Sequence, residues 1–125
     1  MRIPTIEDRL AVREKPASSP VMFQSWINLL FLHWEIDVQE IEKRIPNSLS
    51  VDLHEGKTYL GLVPFLMKKV RPRFLPQMPG LSNFLELNIR AYVHDEQGRP
   101  GVWFFSLDCD QPIAVEVARR FFHLP

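Results

Sequence analysis

Aliphatic residues alternate with polar or aromatic residues over residues 84–93, which is typical of a β-strand with two different faces. One face is aliphatic, and the other carries consecutive polar side chains. Residues 95–98 (DEQG) have turn-forming side chains, and residues 102–108 (VWFFSLD) are aromatic and β-prone. The pattern predicts a β-hairpin over residues 84–108. Its polar row is Glu86, Asn88 and Arg90, and its second strand places Ser106 and Asp108 on a common face.

Similar patterns fill the chain before this hairpin. The spacing of the apolar residues between 23 and 30 fits a helix, but residues 29–36 also fit a strand, which we favour. Asp37 begins a short helix over residues 38–44, which Pro46 ends. Alternation then predicts a strand over 49–54, and a turn at 55–57 leads into a longer strand over 58–70. We predict that these two strands form a hairpin.

Proline and capping residues mark the remaining boundaries. Pro64 indicates that the strand over 58–70 lies at a sheet edge or contains a bulge. Thr5, with Asp8 three residues later, predicts the start of a short helix within an otherwise irregular segment, residues 1–20. Residues 71–80 contain too much proline for a helix or strand. Asp110 can cap a final helix over 111–122, whose buried stripe would be Ile113, Val117 and Phe121.

These elements predict an α+β fold that is mainly antiparallel β, because the connections between neighbouring strands are short. The 125 residues are enough for one domain with a core. Fifteen acidic and fifteen basic residues give a net charge of zero, which argues against a binder of nucleic acid or anionic membranes. A single cysteine, an N-terminus without an apolar signal region and no membrane-length apolar run together predict a cytoplasmic protein.

Four stretches of sequence together match one family in order and spacing, from about Pro20 onward. They are LLFLHW (29–34), GLVPF (61–65) with RPR (71–73), SNFLELNIRAYV (82–93) and GVWFFSLD (101–108). They resemble the YqjF-like bacterial domain of unknown function, which is similar in fold to acetoacetate decarboxylase. The resemblance implies one domain over residues 21–125, with a β-barrel or sandwich around a small-molecule cavity.

The resemblance also implies that the chain is the N-terminal part of the domain, so that one sheet edge stays unpaired and favours association with another chain. Decarboxylase relatives use a lysine that forms a Schiff base, a neighbouring lysine and a cavity glutamate. Glu86 matches the glutamate, but residues 106–109 (SLDC) stand where the lysines are expected. The pair Lys68 and Lys69 precedes Glu86 in the chain and does not match that position. We therefore expect no acetoacetate decarboxylase activity.

The polar row has two interpretations. Glu86 and Arg90 could form a structural ion pair on a half-solvated face, or they could bind a ligand, because burying two unpaired ions is costly. In the second case Arg90 would hold an acidic group, Asn88 would contact a carboxylate or carbonyl, and Ser106 and Asp108 would add a hydroxyl and an acid.

Other candidate sites are less specific. His33 and Glu35 share a strand face and could be metal ligands, but no third donor has a suitable spacing. Cys109 precedes a predicted helix, where a thiolate is favoured. Basic residues between 68 and 73 are typical of a charged edge strand. We expect neither a cofactor nor a metal.

Three functional hypotheses follow. The first is a protein that binds a small carboxylic or keto acid without catalysis. The second is a lyase or hydratase that uses Glu86 as a general acid or base. The third is a non-catalytic interaction module, which would associate with itself or a partner through its open sheet edge.

Overall fold

The computed structural model describes residues 2–122, and within them the chain forms one antiparallel sheet with three short helices. This confirms the predicted α+β, mainly antiparallel class. No helix in this range is long and apolar enough to cross a membrane. The elements in chain order are α1 (Ile6–Ala11), β1 (Met22–Ile27), β2 (Leu32–Ile36), α2 (Val38–Glu42), β3 (Leu49–Val51), β4 (Thr58–Pro72), β5 (Phe84–Asp95), β6 (Pro100–Cys109) and α3 (Pro112–Phe122).

The six strands occupy only four rows of the sheet. Strands β4 and β5 form the two central rows and pair along residues 60–67 and 84–91. On the outer side of β4, β1 pairs with its second half and β2 with its first half. On the outer side of β5 lies β6, and the two form the predicted hairpin. The sheet does not close into a barrel, because β6 has no strand partner other than β5 within the described residues.

A break between β1 and β2 explains how proline is tolerated in a central strand. Asn28 takes a positive φ of 54° there, and the chain leaves the sheet until β2 begins. The carbonyl oxygen of Pro64 accepts from the Leu30 amide at 3.1 Å. Because N and O of one residue face the same neighbour in an antiparallel strand, the Pro64 nitrogen also faces this break. Pro64 therefore occupies a locally unpaired position, as its lack of an N–H group requires.

The predicted hairpin of β3 and β4 is wrong. Both strands run antiparallel to β5, β3 against residues 93–95 and β4 against residues 84–91. They lie end to end in the same row, and residues 52–57 make an excursion closed by a bridge between His54 and Lys57. Alternation shows which side chains share a face of a strand, but it does not show which strand lies beside it. The sequence pattern therefore did not distinguish an excursion from a hairpin.

The larger core cluster lies where α2 covers one half of one sheet face. Ile41 of α2 is 2% exposed and packs with Val51, Ala91 and Val93. Asp37 caps this helix by accepting from the Gln39 amide at 2.8 Å, as predicted. The helix α2 has only five residues, and an open groove runs along the other half of the same face.

The two terminal helices were predicted with different success. Thr5 and Asp8 form a reciprocal capping box at α1, as predicted. At α3, the Gln111 side chain accepts from the Ile113 amide at 3.0 Å, whereas Asp110 accepts from the Leu85 amide at 2.8 Å. The predicted Asp110 cap is therefore replaced by a contact with β5. Ile113 is exposed, which contradicts its place in a buried stripe, and the side chains of Val117 and Phe121 lie outside the described residues.

Candidate functional site

The predicted polar row lies on the sheet face opposite α2, among apolar neighbours. Glu86, Asn88 and Arg90 are cross-strand partners of Phe65, Val63 and Gly61 on β4. Directly paired residues share a face, so the row extends across a surface that is otherwise apolar. The second core cluster forms this surface: it consists of Val63, Phe65 and Met67, with Leu29, Val70 and Phe84 packed against it.

Arg90 is held by aromatic rings rather than by a carboxylate. Its guanidinium carbon lies 5.4 Å from the centre of the Phe31 ring and 5.8 Å from that of Tyr92. No ion pair with Arg90 is present among residues 2–122, so the predicted pairing of Glu86 with Arg90 is not observed. The Nε atom of Arg90 is buried without a hydrogen-bond partner in this range. A cation in this environment is stabilised by the rings and retains unused donors.

His33 and Gly61 complete the surroundings of Arg90. The His33 Nε2 atom lies 2.9 Å from the Tyr92 hydroxyl, which fixes that ring beside the guanidinium. A Cβ on Gly61 would lie 3.4 Å from His33 and 3.5 Å from the Arg90 stem. These are ordinary van der Waals distances, so Gly61 lies between the two side chains and close to both. Sequence analysis missed these roles, although Tyr92 shares the alternation of the polar row.

Asn88 and Glu86 form a second polar pair, next to Arg90 on the strand. Asn88 is 4% exposed, and its Oδ1 atom has no hydrogen-bond partner among the described residues. Burial raises the pKa of Glu86, and a hydrogen bond from Asn88 opposes that rise. A carboxyl group with a raised pKa keeps its proton to a higher pH than an ordinary one, and buried acceptors are usually satisfied.

A β-bulge separates Ser106 and Asp108 from this row. Near the turn, Arg90 pairs with Phe104, but beyond the bulge Ile89 pairs with Ser106 and Leu87 with Asp108. The extra residue shifts the register by one, which turns every later side chain to the other face. Ser106 donates a hydrogen bond to Asp108, so these two are together, as predicted. They lie on the aliphatic face, away from Glu86, Asn88 and Arg90.

The bulge also places Cys109 directly opposite Glu86. Burial raises the pKa of the Cys109 thiol, and the nearby charges of Asp110 and Glu86 raise it further. A position before a helix favours a thiolate, and burial acts here in the opposite direction. The described geometry therefore favours a protonated thiol at this position.

The predicted metal ligands and basic cluster have structural partners. His33 contacts Tyr92, and Glu35 forms an ion pair with Lys57 at 2.7 Å. Among residues 2–122, no group of three or more potential ligands could hold a metal ion. Lys69 takes a positive φ of 58°, and Arg71 stacks on Phe23 at 4.6 Å. These positions end β4 and are not near the polar row.

Two cavities flank the sheet. A cleft of about 450 Å³ lies where α1 meets the excursion, and its lining includes Tyr92 and the ion pair between Arg9 and Asp52. An open groove of about 710 Å³ runs along the uncovered half of the aliphatic face. Glu86 and Asp108 both contribute to its lining, whereas Asn88, Arg90 and Ser106 do not. The groove is otherwise lined by Asn28, Leu30, Pro64, Phe65, Leu66, Leu85, Leu87, Cys109 and Asp110.

Comparison with known proteins gives one family and one curated relative. A family model, DUF2071, described as an uncharacterized conserved protein, matches residues 23–125. The chain is 44% identical over 105 residues to the "Uncharacterized protein YqjF" of Bacillus subtilis (strain 168). That alignment covers 84% of this chain and 43% of the relative, so the chain spans less than half the relative's length. No solved structure matches, and the likeness in fold to acetoacetate decarboxylase stays a prediction.

Proposed function

The chain belongs to the DUF2071 family of uncharacterized conserved proteins, and from this premise we propose that it binds a small organic acid at the row Glu86–Asn88–Arg90. One observation carries the proposal. Arg90 is a cation held between Phe31 and Tyr92, and no carboxylate of the described residues pairs with it. A carboxylate ligand would supply the missing anion through charge-assisted hydrogen bonds.

Asn88 and Glu86 support the same assignment. The unpartnered Oδ1 atom of Asn88 could accept from a donor on the ligand once the site opens. Glu86, whose pKa is raised by burial, could carry a proton toward the ligand instead of repelling it. Asp108, which the sequence also suggested, would act only through the groove on the other face, and Ser106 would act through its hydrogen bond to Asp108.

The first test is a thermal-shift screen with small carboxylic and keto acids. A ligand present at one hundred times its Kd stabilises the folded state by about 2.7 kcal/mol, which raises the melting temperature measurably. We expect at least one acid to stabilise the wild-type chain, and Arg90→Ala to abolish that shift. Arg73→Ala is the matched control, because Arg73 also stacks on a phenylalanine, Phe74, but in the proline-rich segment.

Two results would contradict the proposal. One is a wild-type chain that melts cooperatively but is stabilised by no acid. The other is a stabilising acid that shifts Arg90→Ala as much as the wild-type chain, since binding would then occur elsewhere.

An alternative function is a lyase or hydratase in which Glu86 is the general acid or base. The observation in its favour is the raised pKa of Glu86, because catalytic carboxyl groups often have a pKa closer to neutrality. Turnover of a keto or enol acid that Glu86→Gln abolishes, with binding retained, would separate this function from simple binding. Schiff-base chemistry is not proposed, since no lysine follows Lys69 in the chain.

A further inference from the structure

Part of the aliphatic face, beyond the end that α2 covers, is an open groove with exposed apolar side chains. Leu85 is 58% exposed and lies on this part of the face, by register with Leu66. Leu30, also half exposed, lines the groove beside it. A sheet face this apolar normally packs against a second layer.

The chain exposes more surface than a compact monomer of its mass, and this face is one contributor. The chain has 9078 Å² of accessible surface, whereas a compact monomer of its mass is expected to expose about 6,900 Å². The chain thus exposes about 30% more surface than the scaling predicts for a monomer. The difference is larger than the roughly 800 Å² that each partner buries in a standard protein–protein interface.

We propose that a second copy of this chain covers this face, so that two sheets pack through their groove surfaces in a two-fold dimer. A two-fold interface uses the same patch on both copies, so the patch must be self-complementary. This one contains both a groove and a side chain that protrudes beside it, Leu85. A two-fold axis close to Leu85 packs the protruding leucines of the two copies against each other over the groove and buries apolar surface on both.

Charges at the margins of the groove favour the same arrangement. Lys68 lies on this face by register with Ser25, beyond Leu66, and Asp108 lies on it across β5. Neither residue forms an ion pair among the described residues. A two-fold axis that passes between them in the interface would place Lys68 of each copy opposite Asp108 of the other, which gives the contact its orientation.

Sedimentation equilibrium over a range of protein concentrations tests the proposal. We expect a dimer that dissociates on dilution, and at least a tenfold weaker association for Leu85→Glu or Leu30→Asp, because each places a charge in the apolar contact. Phe74→Glu is the control: it changes an 87% exposed side chain in the proline-rich segment, and we expect no effect on association. Circular dichroism confirms that each variant is folded.

A charge exchange makes the test specific to this geometry. Lys68→Glu and Asp108→Lys should each weaken association, because each places two like charges opposite each other. The double variant should restore association, because the two facing side chains again carry opposite charges. A wild-type chain that is folded and monomeric at all concentrations would overturn the proposal, as would a dimer that persists in both Leu85→Glu and Leu30→Asp. Failure of the double variant to recover association would overturn the two-fold arrangement.

Discussion

Glu86 connects burial to pH dependence at the scale of a single residue. Its pKa is raised by burial in the folded chain, whereas the unfolded chain keeps the ordinary value of 4.5. From about pH 4.5 upward, through the folded-state pKa, the folded chain retains a proton that the unfolded chain has released. The free energy of unfolding therefore falls as the pH rises through this window.

Glu86→Gln removes that dependence, because glutamine does not ionise. We expect the stability of Glu86→Gln, relative to wild type, to increase from pH 4.5 upward. Urea unfolding at several pH values checks this, with Glu14→Gln, a change at an exposed carboxylate, as the control for the loss of one negative charge. A constant difference between variant and wild type across the range would show that burial does not perturb Glu86.

Single residues were predicted well where their chemistry is local. The Thr5 capping box needs only residues three apart, and it forms as expected. Ser106 and Asp108 were correctly placed beside each other, but their face relative to Glu86 depends on one extra residue in β6. No alternation pattern within either strand reveals such a bulge, because it is a property of the pairing.

At the scale of elements, the turn between β5 and β6 depends on Gly98. Its φ is +79°, and a Cβ would lie 3.2 Å from the Arg2 backbone oxygen. We expect Gly98→Ala to lower the free energy of unfolding by about 1–2 kcal/mol, because a side chain is strained at positive φ and would also displace the N-terminal segment. Gly101→Ala is the matched control in the same hairpin, since nothing lies within 4 Å of its Cβ position.

Equal effects of the two alanine substitutions in urea unfolding would contradict this account of the turn.

The turn itself was predictable, because its residues act within one short segment. The pairing of β3 with β5 was not, because the two strands are about forty residues apart and several neighbours satisfy the same alternation. The sequence therefore predicted the elements that have local signals, but it did not predict the order of the strands in the sheet.

At the scale of the whole molecule, the larger core cluster lies at the end of the sheet that α2 covers. Ile41 is almost fully buried there, among Val51, Ala91 and Val93. We expect Ile41→Ala to lower the free energy of unfolding by about 3 kcal/mol, through lost burial and the cavity that remains. Ile6→Ala, at an exposed position of α1, should change it by less than about 0.5 kcal/mol.

Urea unfolding of both variants provides the measurement, and comparable effects would mean that the core does not lie beneath α2.

The fold class could be predicted from the sequence because composition and strand patterns constrain it strongly. Closure of the sheet could not be predicted from the sequence. Whether β6 pairs with a second strand depends on the arrangement of the other strands, which the pattern within one strand does not show. The family resemblance suggested a barrel, whereas the described residues form an open sheet.

The excursion between β3 and β4 has a consequence for how this chain can be altered. Its tip is closed locally, since His54 and Lys57 exchange backbone hydrogen bonds of 2.9 and 3.0 Å, and Glu55 and Gly56 lie exposed between them. Lengthening such a tip costs little, because the entropy of closing a loop grows only logarithmically with its length. A reporter peptide or small domain inserted between Glu55 and Gly56 would leave the strand rows intact.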